Sequence, residues 1–267
     1  MFNPCSLNNK KILVTGASSG IGRAIAIYLS KLGATIVISG RNNQRMEETM
    51  SLLEGSGHTI VPFDLTNLDG IKDVFEESVK DGVKLSGMVH SAGIPYVMPL
   101  RSLTPASLQD CFKNDFFCFI ELVRQYSKAK YCEGGSIVAI SSVTSIKPVV
   151  AETGYCTAKA ALNSSIASMA IELSKKNIRI NGILAGNILT GMANDSFEKY
   201  GNKEMKDNEV KMSLIGRWGT PDDVAAASAF LLSDMSSFTT ASLIDVGGGV
   251  LNRYVPLCNT EWKGALI

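Results

Sequence analysis

Tyr155 and Lys159 stand four positions apart in "GYCTAK", residues 154–159. Four residues slightly exceed one helical turn, so on a helix the two side chains project from one face as neighbours. A phenol titrates ordinarily at about 10, too high for ready proton exchange near neutrality, and an adjacent ammonium favours the phenolate and lowers that value. The pair can act as a proton donor beside the cation that tunes it. The same interval occurs on ordinary solvated helices, so the spacing alone leaves both readings open. Cys156 faces elsewhere on such a helix and reads as a plain thiol.

A second signature is "TGASSGIG", residues 15–22, directly after the β-rich run "KILVT". A glycine-rich turn between a strand and a helix lets the backbone approach a pyrophosphate, whose charge the N–H groups and dipole at the helix start favour. Gly16, Gly20 and Gly22 supply the glycines, and Ser18 and Ser19 add hydroxyl donors. A tight turn without a ligand is the alternative; three glycines in this context favour a nucleotide. The G-x-x-x-G-x-G spacing differs from the G-x-G-x-x-G dinucleotide fingerprint.

The elements that must position these groups follow from the hydrophobic pattern. Seven β-rich runs, "KILVT", "TIVIS", "HTIVPF", "LSGMVH", "GSIVAIS", "NIRINGIL" and "ASLIDV", alternate with helical stretches. Such alternation predicts βαβ units, a mainly parallel sheet and helices on both faces. After the glycine turn, Ile21, Ala24, Ile25, Tyr28, Leu29 and Leu32 recur at helical intervals and predict a face packed on the sheet. Thr104-Pro105 and Thr220-Pro221 predict helix starts, the hydroxyl capping free N–H groups and proline fitting the first helical position. No linker interrupts the alternation before Ile188, so residues 1–267 are expected to form one domain. The segment 188–218, with Met192, Phe197, Tyr200, Met205 and Met212 among many charges, is expected to cover a ligand at the sheet's carboxyl edge. A tail at 250–267 carries Tyr254, Leu257 and Trp262, able to cover the site or pack on a neighbouring subunit.

Composition narrows the class of partner. Hydrophobic residues at 45% and charged residues at 19% describe a globular chain with a large core. A net charge of +1 argues against a broad nucleic-acid or anionic-membrane surface. The apolar run near the N-terminus ends at the glycine turn, too soon for a membrane span or signal core. Cysteines at positions 5, 111, 118, 132, 156 and 258 lack the paired spacing of a zinc site, so no metal is expected. They read as reduced thiols of a cytoplasmic protein.

The glycine turn, "HSAG" at residues 90–93, Ser141-Ser142, and Tyr155 with Lys159 together resemble the short-chain dehydrogenases/reductases, over a span from about Lys10 to Gly249. The resemblance implies a Rossmann-like, doubly wound α/β fold with a mainly parallel seven-stranded sheet. It also implies hydride transfer between a nicotinamide cofactor and a carbonyl or alcohol carbon. Ser142 lies thirteen residues before Tyr155, the relation the family's catalytic serine holds to its tyrosine. Hydride delivered to a carbonyl leaves negative charge on oxygen, which needs a donor and an acid. By resemblance Tyr155 is that acid, Ser142 holds the substrate oxygen, and Lys159 tunes the phenol and bonds the nicotinamide ribose. Asn114 in "FKNDFF" supports a water path for protons; an asparagine in an apolar helix can also simply cap or bend it.

The cofactor-binding set implied is Gly16, Ser18, Ser19, Gly20 and Ile21 in the turn, Asp64 and Leu65 near the adenine, and Ser91, Ala92 and Gly93 after the fourth strand. Tyr155, Lys159, Ile188 and Thr190 complete it near the nicotinamide. Asp64 can equally be a loop cap. At the end of the second strand, Gly40-Arg41 places a guanidinium where a carboxylate would bind the ribose of NAD, which favours NADP(H). Arg45 is a second candidate for the phosphate. The sequence departs from the family at His90 and Ser91, usually two asparagines, at Ala185, usually proline, and at Gly247, usually aspartate. His90 reads as a structural substitute, and loss of the proline ring relaxes the backbone at the site's edge.

The leading expectation is an NADPH-dependent ketone reductase like the 3-oxoacyl-acyl-carrier-protein reductases. An NADP-dependent dehydrogenase of a sugar, polyol, steroid or other secondary alcohol is the alternative, and a non-catalytic nucleotide-binding scaffold a third reading. Arg124, Lys128, Lys130, Lys175 and Lys176 can form a docking face for acyl carrier protein or be solvated helix exteriors. The resemblance implies a homotetramer or homodimer paired through the helices containing Asn114 and Tyr155.

Overall fold

The computed structural model describes residues 4–94, 96–191 and 203–252, the side chains of 203–206 excepted. Met192, Phe197, Tyr200, Tyr254, Leu257 and Trp262 lie outside the described residues, as does the Met205 side chain.

Each predicted strand is present: β1 (Lys11–Thr15), β2 (Thr35–Gly40), β3 (Thr59–Pro62), β4 (Leu85–His90), β5 (Cys132–Ser142), β6 (Ile178–Ala185) and β7 (Leu243–Val246). They form one sheet in the order β3-β2-β1-β4-β5-β6-β7, and every pairing is parallel. The helices are α1 (Gly20–Lys31), α2 (Asn43–Met50), α3 (Ile71–Ser78), α4 (Pro105–Phe112), α5 (Cys118–Tyr126), α6 (Thr153–Leu173), α7 (Lys203–Met212) and α8 (Pro221–Leu232). The fold is Rossmann-like.

Alternate residues of each strand point to opposite faces, and the sheet is accordingly sealed by two cores. Leu13, Val37, Met88 and Ile137 pack against α3, α5 and α6, among them Phe75, Phe119, Leu122, Leu162 and Ile166. Ile12, Val14, Ile36, Ile38 and Val138 pack against α1, α2 and α8 through Ile25, Leu29, Met46, Val224 and Leu231. Burial on both faces explains strands that read as apolar runs with little alternation. Ile25 and Leu29 of the predicted α1 face are fully buried, with Ile21, Tyr28 and Leu32 at the margin.

Both threonine-proline helix starts carry full capping boxes. Thr104 accepts from Ser107 N, whose hydroxyl accepts from Thr104 N, and Thr220 and Asp223 reciprocate in the same way. The sheet order reverses between β1 and β4. Ligands of doubly wound sheets lie in the crevice at such a reversal, outside the carboxyl ends of the strands.

Candidate active site

The crevice is lined on one side by the turn after β1. Gly16 has φ +70°, and a Cβ there would stand 2.7 Å from Ala92 N, so the turn rests directly on the Ser91–Gly93 segment that follows β4. Gly22 is equally close-packed, a Cβ meeting Gly16 O at 2.3 Å. Ser19 starts α1 in extended conformation and makes no side-chain cap, leaving the first N–H groups of α1 without that partner. Thr190 lies over the same turn, its Cγ2 at 3.4 Å from where a Gly20 Cβ would sit. Gly40 at the end of β2 faces Ser18, and exposed Arg41 follows it.

Arg23 ties this region together. Its guanidinium donates to Ser18 O at 2.7 Å, Arg45 O at 3.1 Å, Thr49 Oγ1 at 2.9 Å and Glu48 Oε2 at 3.0 Å. Sequence reading passes over this residue because all but one of its contacts lie more than twenty positions away. Asp64 is exposed and accepts from Thr66 N at 3.0 Å and Thr66 Oγ1 at 2.9 Å, so it is a loop cap as it stands. The Thr66 backbone bond holds its carboxyl below the usual value despite partial burial, with Arg41 and Lys113 adding to the effect. Leu65 packs at the margin of the core.

The reacting groups come from β5 and α6. Ser142 closes β5, buried, its hydroxyl sharing a 2.9 Å bond with Thr144 Oγ1 and accepting from Thr144 N at 3.2 Å. Tyr155 is half-buried one turn into α6. Lys159, on the same helix face, lies with its ammonium 5.6 Å from the centre of the Tyr155 ring and donates to Ile140 O at 3.2 Å. Burial pushes the phenol above its ordinary value; Lys159 opposes this, Asp115 and Glu152 add to it, and Ser142 is close enough to favour the phenolate. Burial disfavours the Lys159 ammonium, yet Asp115 and Tyr155 outweigh it and raise the lysine above its usual value. The three residues named from sequence thus converge.

Asn114 sits in a π-helical turn, Lys113–Phe117, between α4 and α5. Its Nδ2 donates to Asp110 O at 2.8 Å, so the side chain bends and satisfies its own helix, and its backbone O accepts from Cys118 Sγ at 3.0 Å. The neighbouring Asp115, overlooked in the sequence, is fully buried with Oδ1 3.1 Å from Lys159 Nζ. A carboxylate inside the aromatic run "DFFCF" was the available signal.

The departures from the family pattern have local explanations. His90 is fully buried at the end of β4, its Nδ1 3.1 Å from Thr15 Oγ1 and its ring stacked on Phe119. Burial, then Lys159, pulls it down to about 3, so it is neutral. Ala185 pairs in register with both Ser142 and Val246, and the ladder supplies restraint that a proline ring would otherwise give. At Gly247 a Cβ would meet Val143 Cγ1 and Asp245 Oδ1, each at 2.7 Å. Ile188 is buried and bridges to Gly219. Among the described residues of the 188–218 segment, Leu214 N donates to Gly248 O at 2.8 Å and anchors the segment beside β7.

A parallel sheet with a glycine-lined crevice, and a serine, tyrosine and lysine at its carboxyl edge, defines a nucleotide-dependent oxidoreductase of the doubly wound class. A family model described as enoyl-(acyl carrier protein) reductase matches residues 16–251, and the chain belongs to the short-chain dehydrogenase/reductase family. It is similar to an L-xylulose reductase of Caenorhabditis elegans, 32% identical over 248 residues, 92% of this chain and 97% of that protein. A 3-oxoacyl-(acyl-carrier-protein) reductase of Chlamydia pneumoniae is 30% identical over 251 residues, 92% and 98% of the two chains. Among solved structures, a putative 2-deoxy-D-gluconate 3-dehydrogenase from Agrobacterium tumefaciens with bound NADP has a TM-score of 0.85 at 26% identity, covering 94% of this chain and 100% of that one.

The family uses a nicotinamide cofactor, and the crevice fits one. Gly16, Gly22 and Gly93 stand where any side chain would strike backbone or charged groups, and the uncapped start of α1 offers N–H donors to a pyrophosphate. No helix of the described residues is long and apolar enough to cross a membrane, and no metal-binding cluster occurs among them.

Proposed function

We propose that this chain is an NADPH-dependent reductase that converts a ketone to a secondary alcohol, with Tyr155 as general acid. The observation that carries the reading is the convergence of Ser142, Tyr155 and Lys159 at the carboxyl edge of β5. The cofactor, when bound, supplies hydride to the carbonyl carbon. Ser142 donates to the carbonyl oxygen as charge develops there, Tyr155 gives it a proton, and Lys159 stabilises the phenolate that remains. Run in reverse, phenolate and serine accept from an alcohol. Gly16, Ser18, Ser19, Gly20, Ile21, Ser91, Ala92 and Gly93 would hold the pyrophosphate and nucleoside, and Ile188 and Thr190 the nicotinamide end. Asn114 would act through its π-helical turn. Arg41 would hold the 2′-phosphate, supported by the NADP-bound neighbour and by the absence of a carboxylate at Gly40 or Arg41.

For the substrate, the first reading is a 3-oxoacyl thioester. Exposed Ile146, Val149, Val150, Leu189, Leu214 and Ile215 follow the carboxyl ends of β5, β6 and β7 or flank them, an apolar rim suited to an acyl chain. Carrier-protein docking has weaker support. Arg124 is engaged by Glu121, Lys130 by Glu76, Lys128 by Gln125 and Lys176 by Ser127 O. A second reading, a sugar or polyol, is favoured by Glu152 beside Tyr155 and by Glu209, which accepts from Asn187 Nδ2 at 2.9 Å. These groups suit hydroxyls.

Homo-oligomerisation through the helical segments containing Asn114 and Tyr155 and a cytoplasmic location belong to the same proposal. Cys111, Cys118, Cys132 and Cys156 are buried thiols outside any disulfide, the state a reducing compartment maintains.

The test is NADPH oxidation on parallel series of 3-oxoacyl thioesters and keto sugars, with NADH alongside. Turnover of the thioesters with NADPH preferred is the expected result. Turnover of keto sugars alone would replace the first reading by the second. Cofactor binding without turnover on either series would point to a non-catalytic nucleotide-binding protein.

A further inference from the structure

Asp115 is a charge where the fold would more cheaply carry an apolar residue. It belongs to the π-helical turn Lys113–Phe117 and is 0% exposed. Neither carboxylate oxygen has a hydrogen-bond partner among the described groups; its one engagement is the Lys159 ammonium at 3.1 Å. Buried ion pairs of this kind are weak contributors to stability, because desolvating both charges cancels much of their attraction. Gly93 makes room for the pair: a Cβ there would stand 2.7 Å from Asp115 Oδ1 and 3.1 Å from Lys159 Nζ. A sheet-end glycine, a helix irregularity and the active-site lysine therefore share one contact.

We propose that Asp115 is a positioning residue that fixes the Lys159 ammonium and, by offsetting its charge, sets the pH range over which Tyr155 exchanges its proton. The proposal rests on the reading of Tyr155 as the acid. Titratable groups face this pair from four elements. From β4, His90 is neutral, pulled down to about 3 by burial and then Lys159. From α4 and α5, Cys111 and Cys118 are thiols pushed up to about 12, by burial first and then Asp115. From α6 come Tyr155, Lys159 and Glu152, the last raised by burial and by Glu209 from α7. The groups bearing directly on the phenol are thus Lys159, which favours the phenolate, against Asp115 and Glu152, which disfavour it.

The sign follows. An uncompensated ammonium favours the phenolate, and a carboxylate paired with it withdraws part of that help. Removing the carboxylate should move the Tyr155 titration to lower pH, by roughly one unit or more. Reduction, which needs the phenol, should then lose its alkaline limb at lower pH, and oxidation, which needs the phenolate, should gain activity at lower pH.

The experiment is ultraviolet titration of tyrosinate in the cofactor-free protein, with Tyr155→Phe subtracted to isolate this phenol, in wild type, Asp115→Asn and Asp115→Leu. The leucine variant suits a fully buried position and carries the test if the asparagine variant does not fold. A downward shift in either, with Asp115→Glu returning toward wild type, is the expected result, and supports the proposal even if no ketone is turned over. An unchanged titration, or an upward shift showing that Lys159 loses its charge once Asp115 is gone, would overturn it. So would failure of both charge-free variants to fold while Asp115→Glu folds, since that makes the carboxylate a structural requirement.

Discussion

At the scale of single residues, the site is governed by which charges are buried and which are not. Lys159 is buried beside the half-buried Tyr155, and each influences the protonation of the other. Arg41 is the contrasting case. It is exposed and reaches Asp64 only through space, which leaves its fork available for a phosphate. Replacing it with alanine should raise KM for NADPH about tenfold, the worth of one charge-assisted hydrogen bond, while leaving kcat and the NADH parameters close to wild type. Steady-state kinetics with both cofactors reads this directly. An equal loss with NADH would place Arg41 elsewhere in the mechanism.

At the scale of elements, helix starts and strand ends set the geometry. Thr220 and Asp223 close the start of α8, which packs on the same face of the sheet as α1. Thr220→Ala removes the acceptor for Asp223 N and should cost about 1 kcal/mol in chemical denaturation, without changing KM for the cofactor. Arg217, then the Thr220 backbone, hold the Asp223 carboxyl well below its usual value. Because the folded value is depressed, this contribution is present above the unfolded carboxylate value of about 4 and fades as pH falls toward the folded one. Both threonine-proline helix starts were legible in the sequence, because such a start is a local pattern; the reciprocal bonds from Ser107 and Asp223 came from the structure. The seven strands were legible too, since burial on both faces writes itself as apolar runs. The π-helical turn at Lys113–Phe117 was not: its sequence reads as ordinary helix, and only packing shows the extra residue per turn.

At the scale of the whole molecule, the crevice exists because strand order reverses between β1 and β4, which brings the turn after β1 against the segment after β4. Sequence order with family resemblance was enough to name Ser142, Tyr155 and Lys159. It could not show the contacts that join distant segments: Thr15 to His90, Arg23 to α2, and Asp115 to Lys159. These depend on topology, and no local pattern encodes them. In the proposed reaction the half-buried phenol of Tyr155 is the proton donor in ketone reduction. Its most direct test is NADPH oxidation by Tyr155→Phe beside wild type on whichever ketone wild type turns over, with NADPH binding measured separately by fluorescence. The expected loss in kcat is about 10²- to 10⁴-fold, the usual contribution of a general acid, with cofactor affinity little changed. Turnover at the wild-type rate would contradict it.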